Sequence, residues 1–206
     1  MTRFDQIGQR FNSRAAHYDN PITAFIGEHE LRVIRRMVPT GSLVLDYGCG
    51  TGRTTLDHLL RGCQVTAYDI SPEMLSLAEK KVKQQNFLAE FTSESQQLSG
   101  RRWPIVTCIG VLDYYPNPLP LFTELCKYME DTGHLIVTWP NALSPLGWLY
   151  AIASRFTIPA IPRTPKFIRH SVWKAGFEIF ALDYAFPEFA PLGHTFVVGL
   201  KQRDLF

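Results

Sequence analysis

An α/β fold built on a doubly wound, mostly parallel sheet is what this sequence of 206 residues predicts, and three observations carry that expectation. First, short apolar runs rich in β-branched residues alternate with segments of helical periodicity from Leu43 to Thr138, the pattern of a parallel sheet covered on both faces. Second, one such run, Leu45-Asp46-Tyr47, passes directly into Gly48-Cys49-Gly50-Thr51-Gly52, with glycines at alternate positions ahead of a helix. Third, the chain closes on two strand-like runs, Phe177 to Tyr184 and Thr195 to Lys201, whose short connection favours antiparallel pairing.

The elements follow in order. Ala24 to Met37 sets Phe25, Ile26, His29, Leu31, Val33 and Ile34 at helix-compatible spacing and stops at Pro39-Thr40-Gly41. Strand one spans Leu43 to Asp46, and a helix from Thr54 to Leu60 ends at Gly62. Strand two, Gln64 to Tyr68, leads through Asp69 to a helix that Ser71 caps and Pro72 begins, with Glu73 in its first turn. A short strand near Phe87 to Thr92 precedes a strong one at Ile105 to Ile109. A helix near Leu119 to Met129 leads through Gly133 to a strand at Leu135 to Thr138. Residues 139–170 then form an insertion rich in Pro, Leu, Trp, Tyr and Phe, expected to act as a lid. Within it Leu146 to Phe156 is expected as an amphipathic helix that Pro145, Pro159 and Pro162 keep short. With 46% hydrophobic residues and no linker-like stretch, residues 1–206 read as one domain, capped by a helical segment over 1–39.

Composition narrows the function classes. A net charge of +2 with interspersed acids and bases offers no basic stripe, so no nucleic-acid partner is expected. Arg35-Arg36 and Lys80-Lys81-x-Lys83 read as solvated helix faces. No apolar run approaches the roughly 20 residues of a membrane span, so no stable membrane insertion is expected. Cys49, Cys63, Cys108 and Cys126 lack Cys-x-x-Cys spacing and read as free thiols in a reducing, cytoplasmic setting. No carboxylate–histidine cluster has ligand spacing, so no metal is expected.

The glycine turn carries the chemistry. Glycine lets a ligand approach the backbone, and the following helix turns its free N–H groups and positive dipole end toward that turn. Seventeen residues after Gly52, Asp69 ends the second strand, placed to accept hydrogen bonds from a ribose diol. The pair describes a site for an adenosine-containing cofactor. Arg53 occupies the position where a dinucleotide fingerprint has its third glycine, which disfavours a nicotinamide-dependent oxidoreductase. Asp46 repels a pyrophosphate and suits a cationic ligand part, such as the ammonium of a methionine moiety.

Leu45-Asp46-Tyr47-Gly48-Cys49-Gly50-Thr51-Gly52, followed by Tyr68-Asp69-Ile70-Ser71-Pro72-Glu73-Met74-Leu75, closely resembles class I S-adenosylmethionine-dependent methyltransferases of the small-molecule (type 11/12-like) branch. The resemblance covers nearly the whole chain, most securely Leu43 to Asn141. It implies a Rossmann-like, seven-stranded sheet with an antiparallel C-terminal strand, S-adenosylmethionine as cofactor and S-adenosylhomocysteine as product. It further implies cofactor contacts at Asp46, Gly48, Cys49, Gly50, Gly52, Asp69, Ile70 and Met74. Glu94 matches the acid that binds the adenine amino group, with Ser95 supplying a backbone N–H, and Ile109 and Gly110 match the strand end beside the sulfonium. Phe11 to Asp19 resembles the segment that closes over the cofactor, which brings Tyr18 to the site. Val111-Leu112 and Tyr115-Pro116 give a distant similarity to magnesium-protoporphyrin methyltransferases, and the chain is also distantly similar to quinone-biosynthesis methyltransferases.

A methyl group on a sulfonium is already activated, so the protein's task is to align the acceptor and exclude water. A hydroxyl acceptor must also lose a proton. Many relatives carry Glu-His or His-His where this chain has Asp113-Tyr114, so Asp113 is the first candidate base and Tyr114 an orienting group. A helix-capping Asp and a packed aromatic are the competing reading of that pair. His17, His170 and His194 are further candidate bases; a carboxylate acceptor would need none. The expected activity is methylation of a small, apolar or aromatic molecule, with oxygen favoured. Carbon or nitrogen methylation in quinone, tetrapyrrole or secondary metabolism, and non-catalytic S-adenosylmethionine binding, are the alternatives.

Overall fold

The structure, a computed structural model, describes residues 3–13, 15, 21–155, 159–188 and 193–203. Two helices, α1 (Arg3–Asn12) and α2 (Pro21–Met37), precede β1 (Leu43–Tyr47), α3 (Arg53–Leu60), β2 (Gln64–Tyr68), α4 (Pro72–Gln84) and β3 (Glu90–Thr92). Then come β4 (Trp103–Cys108), α5 (Leu119–Cys126), β5 (Met129–Pro140), α6 (Pro145–Ser154), α7 (Pro165–Lys174), β6 (Phe177–Ala185) and β7 (Thr195–Gln202). The strands form one sheet in the order β3-β2-β1-β4-β5-β7-β6. The first five are parallel, and β7 inserts antiparallel between β5 and β6.

Alternation along the strands feeds two cores. Leu45, Val106, Leu135, Val137 and Val198 pack on one face with Phe122 and Leu125 of α5 and with Trp139 and Phe196. Val44, Val65, Ile105, Ile136 and Val197 pack on the other with Leu31, Val33 and Ile34 of α2 and Leu59 of α3. Ser71 caps α4 by accepting the Met74 amide at 3.2 Å, with Pro72 opening the helix as expected. Thr164 and Pro165 do the same for α7, a start signal that the sequence reading passed over.

Several boundaries differ from expectation for physical reasons. The helix expected to reach Met129 stops at Cys126, because the chain there joins the sheet: the Trp103 amide donates to Tyr128 O at 2.8 Å and Met129 pairs with Trp103. Strand β5 is therefore far longer than Leu135 to Thr138. Pro104 sits in central strand β4 without penalty because the ladder to β5 shifts register there, between Trp103 and Ile105; a proline has no N–H to give. Helix α6 is not amphipathic. It carries no charged side chain, and Leu146, Trp148, Leu149 and Ile152 are exposed while Gly147, Ala151 and Ser154 are buried.

Arg35 is also more than a solvated charge. Its guanidinium grips the buried Asp57 carboxylate, with Nε at 2.8 Å and Nη2 at 2.5 Å from Oδ1, and this ties α2 to α3. The four cysteines are free; Cys49, Cys63 and Cys108 are buried and Cys126 is partly so. Among the described residues no helix is long and apolar enough to cross a membrane.

Candidate cofactor and acceptor site

The strand order reverses between β1 and β4, and crevices outside the carboxyl ends of strands open at such reversals. The glycine turn fills this one. The Gly48 and Cys49 amides both donate to Tyr68 O, at 2.7 and 2.9 Å, which staples the turn to β2. Asp69, at the end of β2, accepts the Gly50 amide on Oδ2 and the Ser71 amide on Oδ1, each at 2.8 Å. Burial pushes the Asp69 carboxyl up to about 6, against the pull of those two amides.

Gly48, Gly50 and Gly52 all hold left-handed φ angles of 78°, 56° and 80°, a region that L side chains resist. At Gly52 the helices also meet closely: a Cβ there would lie 2.8 Å from the Ala78 Cβ and 3.0 Å from its Cα. Asp46 lies beneath the turn, 1% exposed, accepting the Thr55 hydroxyl at 2.7 Å and the Thr107 hydroxyl at 3.0 Å. Burial raises its pKa. It thus bolts β1, β4 and α3 together from below the cleft.

Two compartments border the turn, and both are walled by Gly48, Gly50, Ile109, Gly110 and Tyr114. The smaller, of about 80 Å³, adds Asp69, Ile70, Met74 and the aromatic rings of Phe11, Tyr47, Tyr68 and Tyr115. The larger, of about 460 Å³, adds Cys49, Asp113, Glu30, Arg53, Tyr150 and His194 among its walls. The Gly110 amide is anchored by the Thr138 hydroxyl at 2.7 Å, which fixes the strand end between the two spaces.

The structure thus brings Gly48, Cys49, Gly50, Asp69, Ile70, Met74, Ile109, Gly110, Asp113 and Tyr114 to one cleft. Asp46 and Gly52 support it from outside its walls. Glu94 and Ser95 follow β3, where Glu94 is exposed and binds the Gln97 side chain at 3.0 Å; neither lines the compartments. His170 is exposed on α7, away from the cleft. Tyr18 and His17 lie outside the described residues.

Asp113 belongs to a 3-10 turn (Leu112–Tyr114) and its carbonyl accepts the Ile161 amide at 2.8 Å. Its buried Oδ1 has no hydrogen-bond partner among the described residues, and burial drives its pKa well above the usual carboxylate range. Tyr114 packs edge-on against Phe11, with ring centroids 5.4 Å apart.

Sequence reading missed Glu30 and Tyr150. Glu30 binds Arg53 at 2.9 Å, and the guanidinium lies against Gly27, where an added Cβ would fall 1.7 Å from Nη1. The isolated Gly27 in a helical pattern was the available signal of such a close approach. Arg53, read only as a missing glycine, is a wall of the larger space.

Residues 25–182 match the profile of a methyltransferase domain. The chain belongs to that methyltransferase family. The ubiquinone biosynthesis O-methyltransferase of Marinobacter nauticus is 26% identical over 180 residues, 79% of this chain and 75% of the relative. That of Photobacterium profundum is 26% identical over 174 residues, 80% and 69% of the two chains. The crystal structure of magnesium protoporphyrin IX methyltransferase from Synechocystis PCC 6803 with bound S-adenosylmethionine superposes with a TM-score of 0.72, at 18% identity and over 98% of both chains. With bound S-adenosylhomocysteine the TM-score is 0.73 at 20% identity. The expected Rossmann-like fold, mostly parallel with antiparallel C-terminal strands, is therefore the fold of this methyltransferase.

Proposed function

We propose that this methyltransferase uses S-adenosylmethionine to methylate an oxygen of a small, apolar or aromatic molecule. One observation carries the reading: two compartments share the Gly48–Gly50 turn and the Ile109–Gly110 strand end, one walled by Asp69 and the other by Asp113. The residues present fit such a cofactor. Each Asp69 oxygen accepts one amide, and a carboxylate oxygen has a second lone pair for a ribose hydroxyl. Ile70 and Met74 offer apolar surface for the base, and the backbone of Gly48 to Gly50 can be approached closely by the amino-acid part. Asp46, Cys49 and Gly52 hold the turn in shape, and Tyr18 belongs to the segment expected to close over it.

Bound there, the sulfonium supplies an activated methyl group. The chain's own work is then to position an acceptor against Ile109 and Gly110, to keep water out, and to take a proton from a hydroxyl. The larger compartment is suited to a ring-bearing acceptor, with Ala24, Ile26, Ile109, Tyr114 and Tyr150 as its apolar and aromatic walls. The ubiquinone-pathway names of the relatives support oxygen methylation, and the four free cysteines accord with a cytoplasmic setting.

Calorimetric titration with S-adenosylmethionine and with NAD tests the donor, and mass-shift screening of small phenols with labelled cofactor tests the acceptor. Binding of the sulfonium cofactor with no binding of NAD is expected. Binding of NAD alone would overturn the reading.

A further inference from the structure

A histidine, His194, is among the walls of the larger compartment. His194 precedes β7 and is 5% exposed, and its backbone is pinned on both sides: its amide donates to Phe186 O at 2.7 Å, and its carbonyl accepts the Asn141 amide at 2.8 Å. The Asn141 side chain also donates to Gly193 O at 2.8 Å, so the end of β5 holds the histidine in place. The ring stands edge-on to Tyr150, with centroids 5.2 Å apart, and Nδ1 lies 2.5 Å from the Thr195 hydroxyl. Nε2 is buried and has no hydrogen-bond partner among the described residues. A buried N–H with no acceptor is rarer and costlier than an unfilled lone pair. The arrangement favours the proton on Nδ1, donated to Thr195, with the lone pair on Nε2, in a residue that shares the walls of the larger compartment with Asp113.

We propose that His194, not Asp113, is the base that takes the acceptor's hydroxyl proton, and that Asp113, which shares the compartment and whose buried Oδ1 has no partner among the described residues, donates a hydrogen bond to the same acceptor. The inference rests on the methyltransferase reading of the cleft. As the acceptor oxygen forms its bond to the donor methyl carbon, the O–H proton passes to Nε2. The carbon–sulfur electron pair stays on sulfur, and the positive charge that leaves the sulfonium reappears on the imidazolium. Glu30 lines the same compartment, and its charge favours the imidazolium while disfavouring ionisation of Asp113. Among the described residues, the charged and titratable groups that share the compartment with His194 are Glu30 of α2 with its partner Arg53 of α3, Cys49 of the glycine turn, Lys81 of α4, Asp113 and Tyr114 of the 3-10 turn and Tyr150 of α6. Burial lowers the His194 pKa from the usual imidazole range, so the ring is neutral and able to accept a proton at neutral pH.

The decisive measurement is the tautomer of His194, read from its ring ¹⁵N resonances at neutral pH in the S-adenosylhomocysteine-loaded protein. Protonated Nδ1 with unprotonated Nε2 is expected; a proton on Nε2 of the neutral ring would overturn the proposal. Catechol then serves as the acceptor probe. His194→Gln should slow its methylation about 10²- to 10⁴-fold, the usual contribution of a general base, and flatten the acid limb of the pH–rate profile. Its S-adenosylhomocysteine affinity should stay within about twofold of wild type, which also reports an intact fold. A variant with wild-type rate and pH profile would likewise sink the assignment. If catechol is not methylated, the tautomer alone decides. Failure of the wild type to bind S-adenosylhomocysteine would instead strike the methyltransferase reading, and the tautomer can still be read on the free protein.

Discussion

The Gly50 amide donates to Asp69 Oδ2 at 2.8 Å, so the glycine turn after β1 and the acid after β2 are one unit rather than two neighbouring motifs. The acid orders the turn, and the turn in return supplies a donor to a carboxylate that is otherwise buried.

With Asp69 as the proposed ribose acceptor, this coupling sets a pH dependence on cofactor binding. Burial holds the Asp69 carboxyl up at about 6, and a ribose diol donates best to the ionised form. Affinity for S-adenosylmethionine should be level above that value and weaken as pH falls through it, by up to about tenfold per pH unit. Asp69→Ala should weaken binding strongly at neutral pH and abolish this slope. Calorimetry between about pH 5 and 8 checks both, and a flat wild-type profile would exclude Asp69 as the ribose acceptor.

Gly52 tests the turn's geometry separately from its chemistry. Its φ of 80° and the approach of Ala78 to within 3 Å of any added Cβ leave alanine two penalties, backbone strain and a clash against α4. Gly52→Ala should cost about 1–3 kcal/mol, seen as a lower urea midpoint at unchanged slope. Equal stability of the variant would mean that the helices part easily.

The glycine turn and the acid beside it, which wall the smaller compartment, were legible in the sequence because their parts are local. Gly48 to Gly52 and Asp69 to Met74 are two short runs whose spacing encodes a strand, a turn and a helix start. The larger compartment was legible only in part: Asp113 and His194 stood in the sequence as candidate bases, but Glu30 and Tyr150 did not, and these four residues come from four segments that only the fold brings together. His194 stood in the sequence as one histidine among several; its burial and its anchoring by Asn141 have no local signature. The strand boundaries behave alike. The extension of β5 back to Met129 follows from its partner Trp103, and nothing within Met129 to His134 announces a strand.

Beneath the turn, Thr107 is the most informative position. Its hydroxyl is one of only two side-chain donors recorded on the buried Asp46 carboxylate among the described residues, the other being Thr55. Thr107→Val keeps the shape and leaves Oδ1 without that donor, which should cost about 1–3 kcal/mol and push the Asp46 pKa higher still. Chemical denaturation at neutral pH measures the loss. Thr107→Ser, which restores the hydroxyl, should recover most of it; failure of serine to do so would assign the effect to packing.

Asp113 supplies the last prediction. Its folded-state pKa is raised above the unfolded value by burial first and by Glu30 second. A group shifted in this direction gives its full stabilisation below the unfolded pKa and loses it as pH rises through the folded one. Asparagine has nearly the same shape and carries no charge at any pH. Asp113→Asn should therefore match wild type most closely in mildly acidic solution, where both side chains are neutral, and become progressively the more stable of the two as pH rises. Thermal melts of both proteins between about pH 5 and 9 give the comparison directly. A difference in melting temperature that stays constant across that range would show that Asp113 does not titrate there, and would remove it as the proton-bearing partner of His194.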